Sequence, residues 1–195
     1  EDPRFITGKG TYVDDVKLPG MTYAVFVRSP HAHARIKSVN IAKAKSAPGV
    51  LAVFTGQDVQ TGPLPCGWLL PGIKVPARPV LAQGKVRYVG EPVAIVIGES
   101  AYAAKDAAEL VDVQYEPLPA VVDCQKAHAK SAPQLFDDVP ENQSFDWNIG
   151  DKAKTDDAFK SAVKVVKQRL VNQRLIPNAI EPRACLANYV PATGD

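Results

Sequence analysis

The stretch Pro92-Val-Ala-Ile-Val-Ile-Gly98, followed by Glu99-Ser100 and Ala101-Tyr-Ala-Ala-Lys-Asp-Ala-Ala-Glu-Leu-Val111, decides the fold class of this chain. An apolar, largely β-branched run ending in glycine reads as a strand covered on both faces. Ser100 stands where an N-cap belongs, and Ala101, Ala104, Ala108 and Val111 recur at helical spacing. Their small side chains suit close packing of that helix on a sheet. Asp112 to Glu116 then alternates Val113 and Tyr115 with polar neighbours, which is a strand with one wet face. Strand, helix and strand with short joints follow α/β logic.

Upstream, residues 1–20 read as an extended lead-in punctuated by Gly8, Gly10, Pro19 and Gly20. Met21 to Arg28 is a strand whose apolar Ala24 and Phe26 face opposite to Val25 and Val27, so it reads as a central one. Ile36, Val39 and Ile41 mark a second strand, a short Ala/Lys helix follows, and Val50 to Phe54 is a third strand. Residues 61–85 hold Pro63, Pro65, Pro71, Pro76 and Pro79 among several glycines, which excludes a regular element. Trp68-Leu69-Leu70 sits in the middle of this long connection. A solvated loop has no use for such a triplet, so an interface role is expected.

Downstream, a polar passage from about Asp137 to Lys154 reads as a boundary. A helix is expected at Thr155–Ala162, with Asp156 and Asp157 in its first turn. Val163 to Ile176 and Ala184 to Val190 read as two strands of a hairpin that opens a larger domain.

The chain has 195 residues, 46% hydrophobic and 23% charged, an ordinary balance for a folded domain. No apolar run approaches the ~20 residues of a membrane span. Residues 99–157 carry a net charge of −8 (5 basic, 13 acidic), which argues against a nucleic-acid face across the chain. Cys66, Cys124 and Cys185 are odd in number and far apart. They read as small buried hydrophobes in a reducing, cytoplasmic setting rather than as a disulfide framework.

No complete catalytic site emerges. His31-Ala-His33 lacks a third ligand at metal spacing and reads as structural. The pairs Asp14-Asp15, Asp137-Asp138 and Asp156-Asp157 fit turns and helix starts better than paired carboxylate chemistry. Gly8-Lys-Gly10 lacks both the third glycine and the preceding strand of a dinucleotide loop. Tyr88-Val-Gly-Glu-Pro92 is expected to be structural, with Gly90 at a close backbone approach and Pro92 opening a strand.

The order of short motifs carries a resemblance. Glu1-Asp-Pro-Arg-Phe5, Gly8-Lys-Gly-Thr-Tyr-Val-Asp-Asp15 and Leu18-Pro-Gly20 come first. Arg28-Ser-Pro-His-Ala-His-Ala-Arg-Ile36, Ala47-Pro-Gly-Val50 and Val86-Arg-Tyr-Val-Gly-Glu-Pro-Val-Ala94 follow. Ala107-Ala-Glu-Leu-Val111, Tyr115-Glu-Pro-Leu-Pro-Ala120 and Glu181-Pro-Arg183 complete the series. Together they resemble the start of the molybdenum-cofactor large subunit of the xanthine dehydrogenase/aldehyde oxidase family. The similarity is greatest to its bacterial carbon monoxide dehydrogenase-like branch.

The resemblance implies an α/β (α+β) hammerhead domain over residues 1–140, a mixed sheet with packed helices. Residues 150–195 would be the incomplete start of a molybdopterin-binding domain. Such enzymes oxidise aldehydes, N-heterocycles or carbon monoxide with water as the oxygen source, at a molybdenum held by molybdopterin. In the carbon monoxide branch copper joins the metal centre. Electrons leave through [2Fe–2S] clusters and FAD on iron–sulfur and flavin subunits, the implied partners beside the remainder of the large subunit. The family's glycine-rich cofactor segment and its glutamate base have no counterpart here and are expected downstream. No catalytic residue and no metal ligand is therefore assigned. Glu181 and Arg183 are the candidates for approach to the cofactor, as an anion partner or as an ion pair across the turn. The alternative is a free-standing interaction or scaffold module on the same fold.

Overall fold

The computed structural model describes residues 2–59, 61–173 and 175–194. The chain divides into two compact units, one of residues 22–148 and one combining 1–21 with 149–195.

In the first unit the elements run β1 (Tyr23–Arg28), β2 (Ala34–Asn40), a short helix at Ala42–Lys45, β3 (Val50–Thr55), β4 (Lys85–Val86), β5 (Pro92–Gly98), a helix at Ala101–Glu109, and β6 (Asp112–Pro117). They form two three-stranded sheets, ordered β1-β5-β3 and β4-β2-β6, and every pairing is antiparallel. The strand–helix–strand passage is therefore not a parallel crossover, because β5 and β6 enter different sheets. The expected α/β (α+β) class with packed helices holds, with the strands in two antiparallel sheets rather than one mixed sheet.

β5 is the central strand, as its unbroken apolar run requires. Val96 packs with Val53, Ala44 and Ala107 in a core under the two helices. Val93 packs with Ala34, Ala82 and Val86, which joins the first sheet to the second. Ser100 caps the long helix by accepting the Ala103 N–H at 3.1 Å. Gly98 is forced by packing, since a Cβ there would lie 2.8 Å from the Ala104 nitrogen.

β1, expected at the centre, lies at an edge, and its side chains alternate between half-buried and exposed. Phe26 and Phe54 both pair with Ile95, so the three form one row across the sheet. The two rings remain 39% and 40% exposed. Ala24 and Phe26 face opposite to the helix-covered side, and that explains how apolar pattern and edge position coexist.

In the second unit a helix at Asp2–Ile6 replaces the expected extended start, and a 3₁₀ turn follows at Val13–Asp15. The later helix spans Lys152–Ser161, three residues earlier than expected. Its cap is Asp151, which accepts the Lys154 N–H at 3.0 Å, so Asp156 and Asp157 lie in the helix body. The expected hairpin does not form: the described residues of 163–190 make neither helix nor strand, and all are exposed. A two-stranded ribbon without a face to pack on is marginal in water, and Leu170 at 80% and Ile176 at 86% exposure have no such face. Arg174 lies outside the described residues.

Candidate functional site

Leu64 donates its N–H to the Arg78 carbonyl at 2.8 Å and so closes the proline-rich loop at its neck. Lys74 is bonded twice to Ser144: its N–H donates to the Ser144 carbonyl, and its carbonyl accepts the Ser144 hydroxyl, each at 2.8 Å. This stitching carries Trp68 to Phe145 and Trp147, which it meets edge-on at centroid distances of 6.0 and 6.4 Å. The expected triplet splits: Trp68 and Leu69 are exposed, while Leu70 is half-buried. Sequence reasoning misses Phe145 and Trp147, because nothing local ties two aromatics in a polar passage to a loop some seventy residues earlier.

Beside this cluster lies a cavity of about 320 Å³ with apolar walls from Ile73, Val75, Phe136 and Val139 and with Lys74 and Arg78 on its lining. The Arg87 guanidinium sits 4.5 Å from the Phe136 ring centre and donates to the Leu135 carbonyl at 3.0 Å. The Asn142 amide binds the Leu135 N–H and the Ala127 and Pro133 carbonyls, which fixes the opposite wall. Cys66 also lines the cavity and is half-buried, while Cys124 and Cys185 are exposed. The cysteines are thus not the buried hydrophobes expected.

A second group of polar residues is buried at the strand ends: Ser29, His33 and Glu91. Ser29 exchanges backbone hydrogen bonds with Gly90 and Glu91 at 2.8 and 2.9 Å. Glu91 accepts the Arg87 N–H and turns inward, so it braces the Tyr88–Gly90 turn rather than facing outward. Burial pushes its carboxyl above the usual carboxylate value, against the opposing pull of the Arg87 N–H. Gly90 owes its identity to backbone conformation, with φ +90° and no neighbouring atom within 4 Å of where a Cβ would stand, and not to the close approach expected. His33 places Nδ1 2.8 Å from the Pro119 carbonyl, which can only accept, so Nδ1 carries the proton. His31 instead meets the edge of Tyr115 at 4.9 Å. Among the described residues no three His, Cys, Asp or Glu side chains gather at metal-binding distance.

Glu181 accepts the Val13 N–H at 3.0 Å, while the neighbouring Tyr12 N–H goes to Asp15 at 2.9 Å. The ion pair to Arg183 is not formed among the described residues, and the Arg183 side chain is exposed. Residues 151–195 contain one glycine, Gly194. Among the described residues of that stretch, the one helix start is occupied by the Asp151 carboxylate. A pterin pyrophosphate needs converging N–H donors, and among the described residues of 151–195 neither a glycine-rich loop nor a free helix start presents them.

The chain matches the family described as aldehyde oxidase and xanthine dehydrogenase, a/b hammerhead domain, over residues 7–119. It is 44% identical over 207 aligned positions to the carbon monoxide dehydrogenase large chain of Afipia carboxidovorans, covering all of this chain and 25% of that one. It is 36% identical to the nicotine 6-hydroxylase large subunit of Paenarthrobacter nicotinovorans, over 97% of this chain and 23% of that one. A crystal structure of Cu,Mo-CO dehydrogenase superposes with a TM-score of 0.68 at 43% identity, covering 84% of this chain and 22% of that one. The chain therefore spans about a quarter of the length of these relatives.

Proposed function

The chain belongs to the aldehyde oxidase and xanthine dehydrogenase family, and from that membership we propose that it is the N-terminal portion of a molybdenum hydroxylase large subunit. Its role there is structural. The hammerhead domain, assigned to 1–140, forms the scaffold, and residues 150–195 begin the molybdopterin-binding domain. The change of compact unit at Ile149 supports the second boundary.

One observation carries this reading beyond the family match: large apolar side chains are left open in both compact units. The Phe26–Ile95–Phe54 row and the unpaired 163–190 segment both need further polypeptide to cover them. A free-standing scaffold module would not leave both exposed. The complete enzyme would oxidise an aldehyde, an N-heterocycle or carbon monoxide with water as oxygen source. Molybdopterin-bound molybdenum would supply the oxidising centre, and iron–sulfur and flavin subunits carrying [2Fe–2S] clusters and FAD would take the electrons. The proposal places this complex in the cytoplasm. Among the described residues no helix is long and apolar enough to cross a membrane.

The test is to isolate the complete complex and supply isotopically labelled water. Molybdenum in the complex and label in the oxidised product support the proposal. A complex with neither refutes it.

A further inference from the structure

Resting on that reading, we propose that Trp68, Phe145, Trp147 and the adjoining cavity form a socket for one segment of the same large-subunit polypeptide outside these 195 residues. The segment presents an apolar anchor side chain beside a carboxylate.

The aromatic rings supply the first argument. Trp68, Phe145 and Trp147 are 56%, 44% and 55% exposed, although Trp68 already meets the other two edge-on. Aromatic side chains are enriched where interfaces concentrate their binding energy. They adjoin a cavity of about 320 Å³ through Cys66, whose thiol donates to the Trp68 carbonyl at 3.0 Å, and through Ser144, next to Phe145. The cavity has room for an aliphatic or aromatic side chain between Ile73, Val75, Phe136 and Val139.

Preorganisation is the second. The Leu64–Arg78 and Lys74–Ser144 hydrogen bonds hold one wall, and the three bonds of the Asn142 amide hold the other. An occupant thus meets a formed surface and does not have to order a loop.

Charge selects the chemistry. Lys74 and Arg78 line the cavity, no acidic side chain does, and neither cation forms an ion pair among the described residues. Glu91 lies within electrostatic reach of Arg78, but its carboxylate is turned to the Arg87 N–H. A carboxylate on the occupant complements both cations. Chain length selects the source: about three quarters of the relatives' length lies outside the region matched here. A segment tethered to the same chain docks at high effective concentration, so a socket of modest size suffices.

Cys66, on the cavity lining, is a built-in reporter. The complete large subunit, alone and in its complex, is treated with iodoacetamide to label Cys66. In parallel it is exposed to hydroxyl radicals to label Trp68 and Trp147, and both reactions are read by mass spectrometry. Loss of labelling at all three in the large subunit alone, unchanged in the complex, is the expected result. Lys74→Glu with Arg78→Glu restores labelling, whereas Lys74→Arg with Arg78→Lys keeps protection. Full labelling in both states overturns the socket. Protection that appears only in the complex assigns it to a partner subunit and overturns the source. Protection that survives charge reversal overturns the acidic chemistry. If the reversal variant does not fold, loss of protection in a milder Arg78→Met variant is expected, and its retention overturns the acidic chemistry. Molybdenum content, measured on the same samples, separates failure of the socket from failure of the family reading.

Discussion

Glu181 and Val13 are joined by a 3.0 Å hydrogen bond from the Val13 N–H to the Glu181 carboxylate, across 168 residues of sequence. The bond ties the glycine-flanked turn near the N-terminus to the Glu181-Pro182-Arg183 turn within one compact unit. With Asp15 on the Tyr12 N–H, two successive backbone donors are each met by a carboxylate. Glu181 is thus a positioning residue for its own chain.

Glu181→Ala should free the Val13 amide. The site is exposed, so water replaces the lost acceptor and the cost stays within about 1 kcal/mol. Hydrogen exchange at Val13 should accelerate in Glu181→Ala and stay near the parent rate in Glu181→Gln, which keeps an oxygen acceptor. Equal rates in all three chains would contradict the assignment.

Glu91 predicts a pH dependence. Its folded-state carboxyl sits above the ordinary 4.5 because burial disfavours the charge. The native state therefore binds the proton more tightly than the unfolded chain. Its stabilising contribution is complete below about 4.5 and declines as pH rises through the folded value. Glu91→Gln lacks this decline, so the parent should lose melting temperature relative to the variant over that interval; parallel curves would count against it. Because Glu91 braces a turn and touches no reacting group here, turnover of the complete Glu91→Gln enzyme should stay within about tenfold of the parent.

Gly98→Ala places a methyl 2.8 Å from the Ala104 nitrogen and 3.1 Å from its Cα, in the backbone of the packed helix. Overpacking of this kind costs roughly 1–3 kcal/mol. Thermal unfolding should show a clear drop in Tm, and an unchanged Tm would mean that the helix does not approach β5 this closely.

Asp151 caps the helix at Lys152–Ser161, and its bond from the Lys154 N–H holds its carboxyl below the usual 3.8. The cap's contribution is complete above about 3.8 and is lost as pH falls through the lower folded value. Asp151→Ala should reduce helical circular dichroism at neutral pH and remove that acid step. A variant with unaltered helicity would show that the cap is dispensable.

Much of the fold is legible in the sequence wherever local pattern and tertiary role agree. The β5 run and the Ser100 cap each specify one structure at their own scale, whereas the expected stripe is shifted: Ala104 and Ala107 are buried, Ala101 is exposed and Val111 lies past the helix end. β1 reads as central because Ala24 and Phe26 are apolar, and pattern alone cannot tell a central strand from an edge strand with an uncovered face. The 163–190 segment reads as a pair of strands, yet pairing needs a surface that these residues do not contain. Of the candidate site, Trp68 is visible as a large aromatic in a proline- and glycine-rich loop. Its partners Phe145 and Trp147, and the Val13–Glu181 contact, depend on long-range folding that leaves no mark on neighbouring residues.

The central claim is that these residues build scaffold and leave the cofactor site to other polypeptide. The direct measurement is molybdenum content and turnover of residues 1–195, supplied with molybdopterin and an artificial electron acceptor. The account predicts no retained molybdenum, and no oxidation of aldehydes, purines or carbon monoxide above a protein-free blank. Stoichiometric molybdenum accompanied by turnover of any of these would contradict it.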